Sequence, residues 1–384
     1  MTRDQRPDDV SRRKFILATG AAGTAAFAGC SGGSGSQSTP TPRVETRTVV
    51  KDQSGSQSES ASGGPSDLSA EGSSTVYPIS NKGGSYWNGN PPADDEEYWG
   101  PEQYGIDTDM HLADYFASLY GFEPTETRSE APFNMSVGLS HSGTGCKSVR
   151  DGLVDIGNSS GPITAELGIS EEKRDENYVD HVVGRDGQPV FVSQAIYDAG
   201  VTELTGEEVR GIYQGDVTNW SEVGGPDQEI YVVGRAEGSG TDTSFRLNML
   251  GDADAPMDVD TRKGQNQQVQ TVLEQNDGAI GYMALAFQSS AISPVAITFD
   301  GTTYEPDKDA ENTIFDSDYP LNRDLHMYTR ITDETPEGTS MKEAAFINMF
   351  LTEFGQQTFV EANNYIPLPT KDIEAEREKL PDQV

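Results

Sequence analysis

The sequence predicts an α/β fold built as two lobes, and three observations point there. Short β-rich runs such as Pro189-Val190-Phe191-Val192 and Ile230-Tyr231-Val232-Val233 alternate with helical stretches, Gly206 to Tyr213 and Val269 to Glu274, and that alternation indicates layered α/β architecture. The part able to fold is about 300 residues long, a length at which chains divide their core between lobes. Three Ser/Thr/Gly clusters, at 71–78, 140–147 and 235–241, each precede a segment that can be helical.

The chain begins with an address. Ser11-Arg12-Arg13-Lys14-Phe15-Ile16-Leu17 fits a twin-arginine export signal, and the apolar stretch from Ile16 to Gly29 is too short and too rich in small residues for a membrane span. Phe27-Ala28-Gly29-Cys30 has the look of a lipobox, which makes Cys30 the lipid-modified first residue of the mature protein. An ordinary signal peptide with an incidental cysteine is the alternative. Residues 30–67 are Ser, Gly, Gln, Thr and Pro with hardly any apolar content, so they read as a flexible tether.

Along the folded part, residues 82–110 are rich in Gly, Asn, Pro and Asp with interspersed Tyr86, Trp87, Tyr98 and Trp99, and read as a surface insertion. A helix is expected from Lys342 to about Ala362, where Phe346, Met349, Phe350 and Phe354 form a core-facing stripe. Asn134, Asn158 and Asn219 open glycosylation sequons. Cys146, left alone once Cys30 is assigned to lipid, reads as a small buried residue, and no disulfide is expected. His111, His141, His181 and His326 have no metal-ligand spacing, and Gly138-Leu139-Ser140-His141-Ser142 lacks the second glycine of a nucleophile elbow.

Sixty-three acidic residues stand against 27 basic ones, for a net charge of −36. Acid excess spread over the whole chain, with lysine scarce, suggests a protein that stays soluble in molar salt, where the Debye length is roughly 3 Å and surface carboxylates barely repel one another or an incoming anion. The same balance disfavours nucleic-acid binding, as no basic patch is visible.

The most informative segment is Arg235-Ala236-Glu237-Gly238-Ser239-Gly240-Thr241. Gly238 and Gly240 let successive backbone N–H groups converge, Ser239 and Thr241 add hydroxyls, and Arg235 supplies a planar charged fork suited to two oxygens of a tetrahedral anion. The apolar-periodic run Phe245, Leu247, Met249 and Leu250 follows, so the loop opens a helix whose positive end faces the anion. Read singly, each of the three clusters could be a surface or capping turn. Together they suggest several helix N-termini converging on one ligand, with neutral donors, one arginine and no evident catalytic machinery.

Several motifs in one order carry a resemblance. They are Gly72-Ser73-Ser74-Thr75-Val76-Tyr77-Pro78, Ser142-Gly143-Thr144-Gly145, Asp155-Ile156-Gly157-Asn158-Ser159-Ser160, Arg235 to Thr241, Gly278-Ala279-Ile280-Gly281-Tyr282 and Tyr365-Ile366-Pro367-Leu368-Pro369. Over roughly residues 68–370 the chain resembles the phosphate-binding proteins, extracytoplasmic solute receptors of the phosphate-specific ABC transporter. The resemblance implies a two-lobed periplasmic-binding-protein-like (type II) fold with ligand in the interlobe cleft. Lobe 1 would span 68–189, lobe 2 190–319, and 320–384 would return to lobe 1 and end in a helix.

It also implies inorganic phosphate as ligand, ABC permease subunits as partners, no cofactor or metal, and a place on the outer face of the membrane. Thr75 and Val76, with Ser74 beside them, would donate from the first loop, Val76 through its N–H, and Ser142 from the second. Arg235, Ser239, Gly240 and Thr241 would donate from the other lobe, with Glu237 holding the arginine fork. Many members have an aspartate where this chain has Ser160; it accepts a hydrogen bond from a protonated phosphate oxygen, which sulfate cannot supply. Ser160 accepts as well as donates, and Asp242 is an alternative acceptor or else an exposed helix-start carboxylate. Another tetrahedral oxyanion (sulfate or molybdate) and an exported phosphatase are the competing readings.

Overall fold

The computed structural model describes residues 67–336 and 338–384. The export signal, Cys30 and all of the tether before residue 67 lie outside the described residues. In chain order the strands are β1 (Leu68–Ser73), β2 (Met135–Ser140), β3 (Ile156–Ser159), β4 (Tyr178–Asp186), β5 (Val190–Ser193), β6 (Glu203–Thr205), β7 (Tyr231–Arg235), β8 (Thr261–Lys263), β9 (Ala279–Tyr282), β10 (Ile292–Pro294), β11 (Ala296–Phe299), β12 (Thr302–Tyr304) and β13 (Arg323–Arg330). They form one sheet of order β2-β1-β3-β13-β4, a second of order β10-β5-β9-β7-β8 and a small third of order β12-β11-β6.

This division makes the two lobes. The first sheet holds the chain up to Asp186 and takes it back at Arg323; the other two hold 190–304. The chain therefore passes between lobes at 187–189 and again before β13. In each large sheet a parallel core (β2-β1-β3; β8-β7-β9) is flanked by antiparallel strands. Each lobe buries its own core, one around Trp87, Phe116, Phe346 and Phe350, the other around Val209, Trp220, Phe245 and Tyr282.

Local sequence explains the helices. Thr205 and Glu208 form a capping box that starts Gly206–Gln214, and Gly215 ends it in the left-handed region. The expected helix near 269–274 runs Asn266–Gln275. The segment 342–362 differs from its expected single helix. Ser340 and Glu343 cap Met341–Phe350, the chain turns at Leu351, and Thr352 caps a new turn at Glu353–Gly355 that continues as a wide-turn segment, Gln356–Val360. The corner is so tight that a Cβ on Gly355 would lie 2.1 Å from the Met349 carbonyl oxygen. The Phe346, Met349, Phe350 and Phe354 stripe is buried in the lobe 1 core, as the spacing indicated.

Residues 82–110 are not the surface loop their composition suggested. Positions 82–89 complete the helix Tyr77–Gly89, and Trp87 and Trp99 are fully buried. Trp87 donates to the Phe133 carbonyl at 2.8 Å, and Trp99 meets Phe354 edge-on. Glycine and asparagine misled here. Gly83 lets the helix press on the Phe350 ring, while Asn90 takes the left-handed cap position and accepts the Ala113 N–H. The aromatics supply enough apolar area to anchor the segment.

Candidate functional site

Three loops meet where the lobes touch. The first follows β1: Ser74, Thr75 and Val76 lead into the helix Tyr77–Gly89, which has Pro78 in its first turn. The second follows β2 and opens the helix Ser142–Arg150; the third follows β7 and opens Gly240–Phe245, continued by the wide turn Arg246–Leu250. In the third, bonding onto the Ser239 carbonyl starts with the N–H groups of Asp242 and Thr243, which leaves Gly240 and Thr241 as first-turn donors. Ser74, Thr75, Val76, Ser142, Ser160, Arg235, Ser239, Gly240 and Thr241 are all buried.

Arg235 ends β7 with no exposure. Its Nη2 donates to Ser74 Oγ at 3.2 Å and to the Gly264 carbonyl at 2.8 Å, its Nε to the Lys263 carbonyl, and its Nη1 to Asn266 Oδ1. These partners are neutral oxygens. Burial and, after it, the charge of Arg323 lower its pKa to about 9, against Tyr282 and Asp242; it stays protonated at neutral pH.

The lobes are joined by direct contacts. Thr75 and Thr241 share a hydrogen bond at 3.1 Å, Asn266 donates to Ser74 Oγ and Thr75 Oγ1, and the Gly143 N–H donates to the Gly238 carbonyl at 3.0 Å. Ser244 donates to the Ser160 carbonyl at 2.6 Å. Gly240 is required at this seam, because a Cβ there would sit 2.2 Å from Ser142 Oγ and 2.8 Å from the Gly161 nitrogen.

Three expectations are corrected. Glu237 is exposed and does not hold the arginine fork, since it sits at the solvent side of the turn with Gly238 while Asn266, Lys263 and Gly264 take the guanidinium. Asp242 is neither an exposed carboxylate nor a free acceptor. It is buried, accepts from Tyr282 at 2.6 Å and pairs with Arg246 and Arg262. The N–H of Val76 is turned onto Ser73 Oγ, at a long 3.5 Å. Ser160 does lie beside Ser142: its N–H donates to Ser142 Oγ, and its Oγ accepts from Ser73 at 2.9 Å.

Sequence reasoning missed Asn266, which ties Arg235 to the first loop, and Arg323, a second buried guanidinium. Arg323 binds Asp186 through Nε and Nη2 and donates to Thr75 Oγ1 at 3.3 Å. No motif marks either residue. Cys146 lies in an apolar cluster with Val149, Ile163, Tyr178 and Tyr328, where burial pushes its thiol up. Asn158 is buried and donates to Ser80, so that sequon is closed to a glycan. Among the described residues no His/Cys/Asp/Glu group is arranged to hold a metal.

Two α/β lobes whose facing loops bring helix N-termini, hydroxyls and a buried arginine to one seam have the architecture of a two-lobed binding protein. A family model described as a PBP superfamily domain matches residues 119–354. The phosphate-binding protein PstS of Bacillus subtilis is 32% identical over 227 residues, which is 59% of this chain and 69% of that protein. PstS of Staphylococcus saprophyticus is 28% identical over 256 residues, 65% of this chain and 76% of its own. Among solved structures, an ABC-type phosphate transport receptor from Vibrio cholerae superposes with a TM-score of 0.51 at 21% identity, covering 79% of this chain and 100% of that one. A Clostridium perfringens chain with bound phosphate, described as a phosphate ABC transporter substrate-binding protein, reaches 0.57 at 20% identity with the same coverage. At those identities the structures speak for the fold. The chain belongs to the PBP superfamily and, within it, to the family of the phosphate-binding protein PstS.

Proposed function

We propose that this protein captures inorganic phosphate outside the cell and delivers it to an ABC permease, and that the anion sits between Ser74, Thr75, Ser142 and Ser160 of one lobe and Arg235, Ser239, Gly240 and Thr241 of the other. The observation that carries the reading is the Arg235 guanidinium, fully buried at the lobe junction and held only by neutral oxygens. A buried cation is costly without a counter-charge, and a tetrahedral oxyanion supplies one in the shape the fork fits. The PstS relatives support phosphate as that anion. Binding rather than turnover is the reading the PstS relatives support, and Cys146 sits in an apolar cluster that holds it as a thiol. Export by the twin-arginine route and a lipid on Cys30 would place the receptor on the outer face of the cell membrane, and the net charge of −36 suits molar salt.

One observation favours a broader ligand range. The cleft position of the family aspartate holds Ser160, and Asp242 is already engaged by Tyr282 and two arginines. Without a free carboxylate acceptor, rejection of sulfate weakens. The test of the site is phosphate titration into the wild type and Arg235→Ala. A loss of at least about a hundredfold is expected for a charged, bidentate contact; near-wild-type affinity in a folded variant overturns the site.

A further inference from the structure

We infer that Arg323 is a second anion-binding arginine of the cleft, donating to the ligand through Nη1 from the strand on which the chain returns to the first lobe. The inference rests on the phosphate-receptor reading above and adds a ligand residue to it.

Four observations place Arg323 there. Its side chain is almost wholly buried, and Nη1 is a buried donor with no partner among the described residues, although Nε and Nη2 both bind Asp186 Oδ2. A buried N–H on a guanidinium is expensive to leave unpaired, so its missing partner needs a physical account. Nη2 also reaches Thr75 Oγ1 at 3.3 Å, and that hydroxyl is the one shared with Thr241 across the lobes and with Asn266. Arg323 and Ser160 line one pocket of about 210 Å³, together with Ser244, Asn322, His326 and the carboxylate-bearing Asp324. Finally, Arg323 and Arg235 are close enough that the charge of Arg323 lowers the pKa of Arg235.

The charges make the same point. Arg235 and Arg323 both reach the first loop, and of the two only Arg323 pairs with Asp186, whose other oxygen accepts the Leu285 N–H. One positive charge is left over. Asp186 ends β4 and pairs in register with Arg323 at the start of β13, so this ion pair spans the two strand ends where the chain leaves and re-enters the first lobe. It fixes the Arg323 fork against the anion, and lobe closure then adds Arg235 from the other side.

The alternative role for Arg323 is purely structural, a rivet between strand ends. The experiment separates the two by measuring phosphate affinity and thermal stability of the full chain side by side. Three variants are compared: Arg323→Gln, Arg323→Lys, and the double change Asp186→Asn with Arg323→Gln, which leaves no buried carboxylate unpaired. A charged donor on the anion predicts that phosphate affinity falls roughly 10- to 100-fold in the double variant, even where its melting temperature matches the wild type. Arg323→Lys keeps the charge but loses the fork, and is expected to recover part of the loss. Should Arg323→Gln fail to fold, the double and lysine variants carry the test. A folded double variant binding phosphate within about threefold of wild type would overturn the inference while leaving the receptor reading intact. A folded wild type that takes up neither phosphate nor sulfate would overturn both.

Discussion

Thr75 Oγ1 and Thr241 Oγ1 lie 3.1 Å apart and are separated by 166 residues in sequence. One follows β1 of the first lobe; the other begins the helix after β7 of the second. Their contact means that the lobes meet at the candidate donors themselves, so ligand affinity and lobe closure are the same equilibrium viewed at two places.

Gly240 is where that equilibrium is easiest to disturb. A methyl group there would press on Ser142 Oγ and the Gly161 nitrogen, both on the opposite lobe. Gly240→Ala is expected to hold the lobes apart, weakening phosphate binding by roughly tenfold or more while each lobe keeps its own core. Small-angle scattering with and without phosphate checks it: the wild type contracts on binding and the variant does not.

Glu166 makes closure sensitive to pH. It lies on the short helix Ile163–Leu167, which packs on Gly240–Phe245 of the other lobe. Burial raises its pKa from the ordinary 4.5 to about 7, with the Asp242 charge adding and Thr243 and Lys147 opposing. A raised acid pKa means that the closed form holds the proton more tightly than the open one. Closure is therefore favoured most below the ordinary value and weakens as pH rises from about 4.5 to about 7. The ratio of wild-type to Glu166→Gln affinity should fall over that window; this ratio cancels the titration of phosphate itself. A flat ratio would show that Glu166 is equally solvated in both forms.

Ser160 is the proposed determinant of anion choice. Ser160→Asp restores a charged acceptor beside Ser142, so sulfate, which has no proton to give, should compete less well by about tenfold or more relative to phosphate. Competition titrations of the two proteins measure it directly. Unchanged sulfate competition would mean that another acceptor reads the phosphate proton.

The surface charge predicts a rate effect. A net charge of −36 repels an incoming anion over about 30 Å at 0.01 M salt and over about 3 Å at 1 M. Stopped-flow association with phosphate should therefore quicken with KCl, by roughly tenfold across that range, opposite to the behaviour of a basic receptor.

Much of the site was legible because it is made of local motifs. Glycines that free the backbone, hydroxyls at helix starts and an arginine just before such a start are chemical requirements visible within eight residues. Arg235, Ser74, Thr75, Ser142 and Thr241 were all found this way, Ser160 came only with the resemblance, and the structure brings them together. Arg323 was invisible because its link to Thr75 spans 248 residues and depends on how β13 returns to the first sheet. Glu237 misled for another reason: the resemblance matched it to an acidic family position, yet here the turn points it to solvent. In the fold, Trp87 and Trp99 were hidden by their Gly- and Asn-rich surroundings, where composition spoke for a loop and aromatic burial decided otherwise.

The central claim is that this cleft binds phosphate, and isothermal titration of phosphate into the full chain in molar KCl tests it most directly. The account expects one phosphate bound per chain, displaced by sulfate only when sulfate is in excess. A folded sample that takes up no phosphate under those conditions would contradict it.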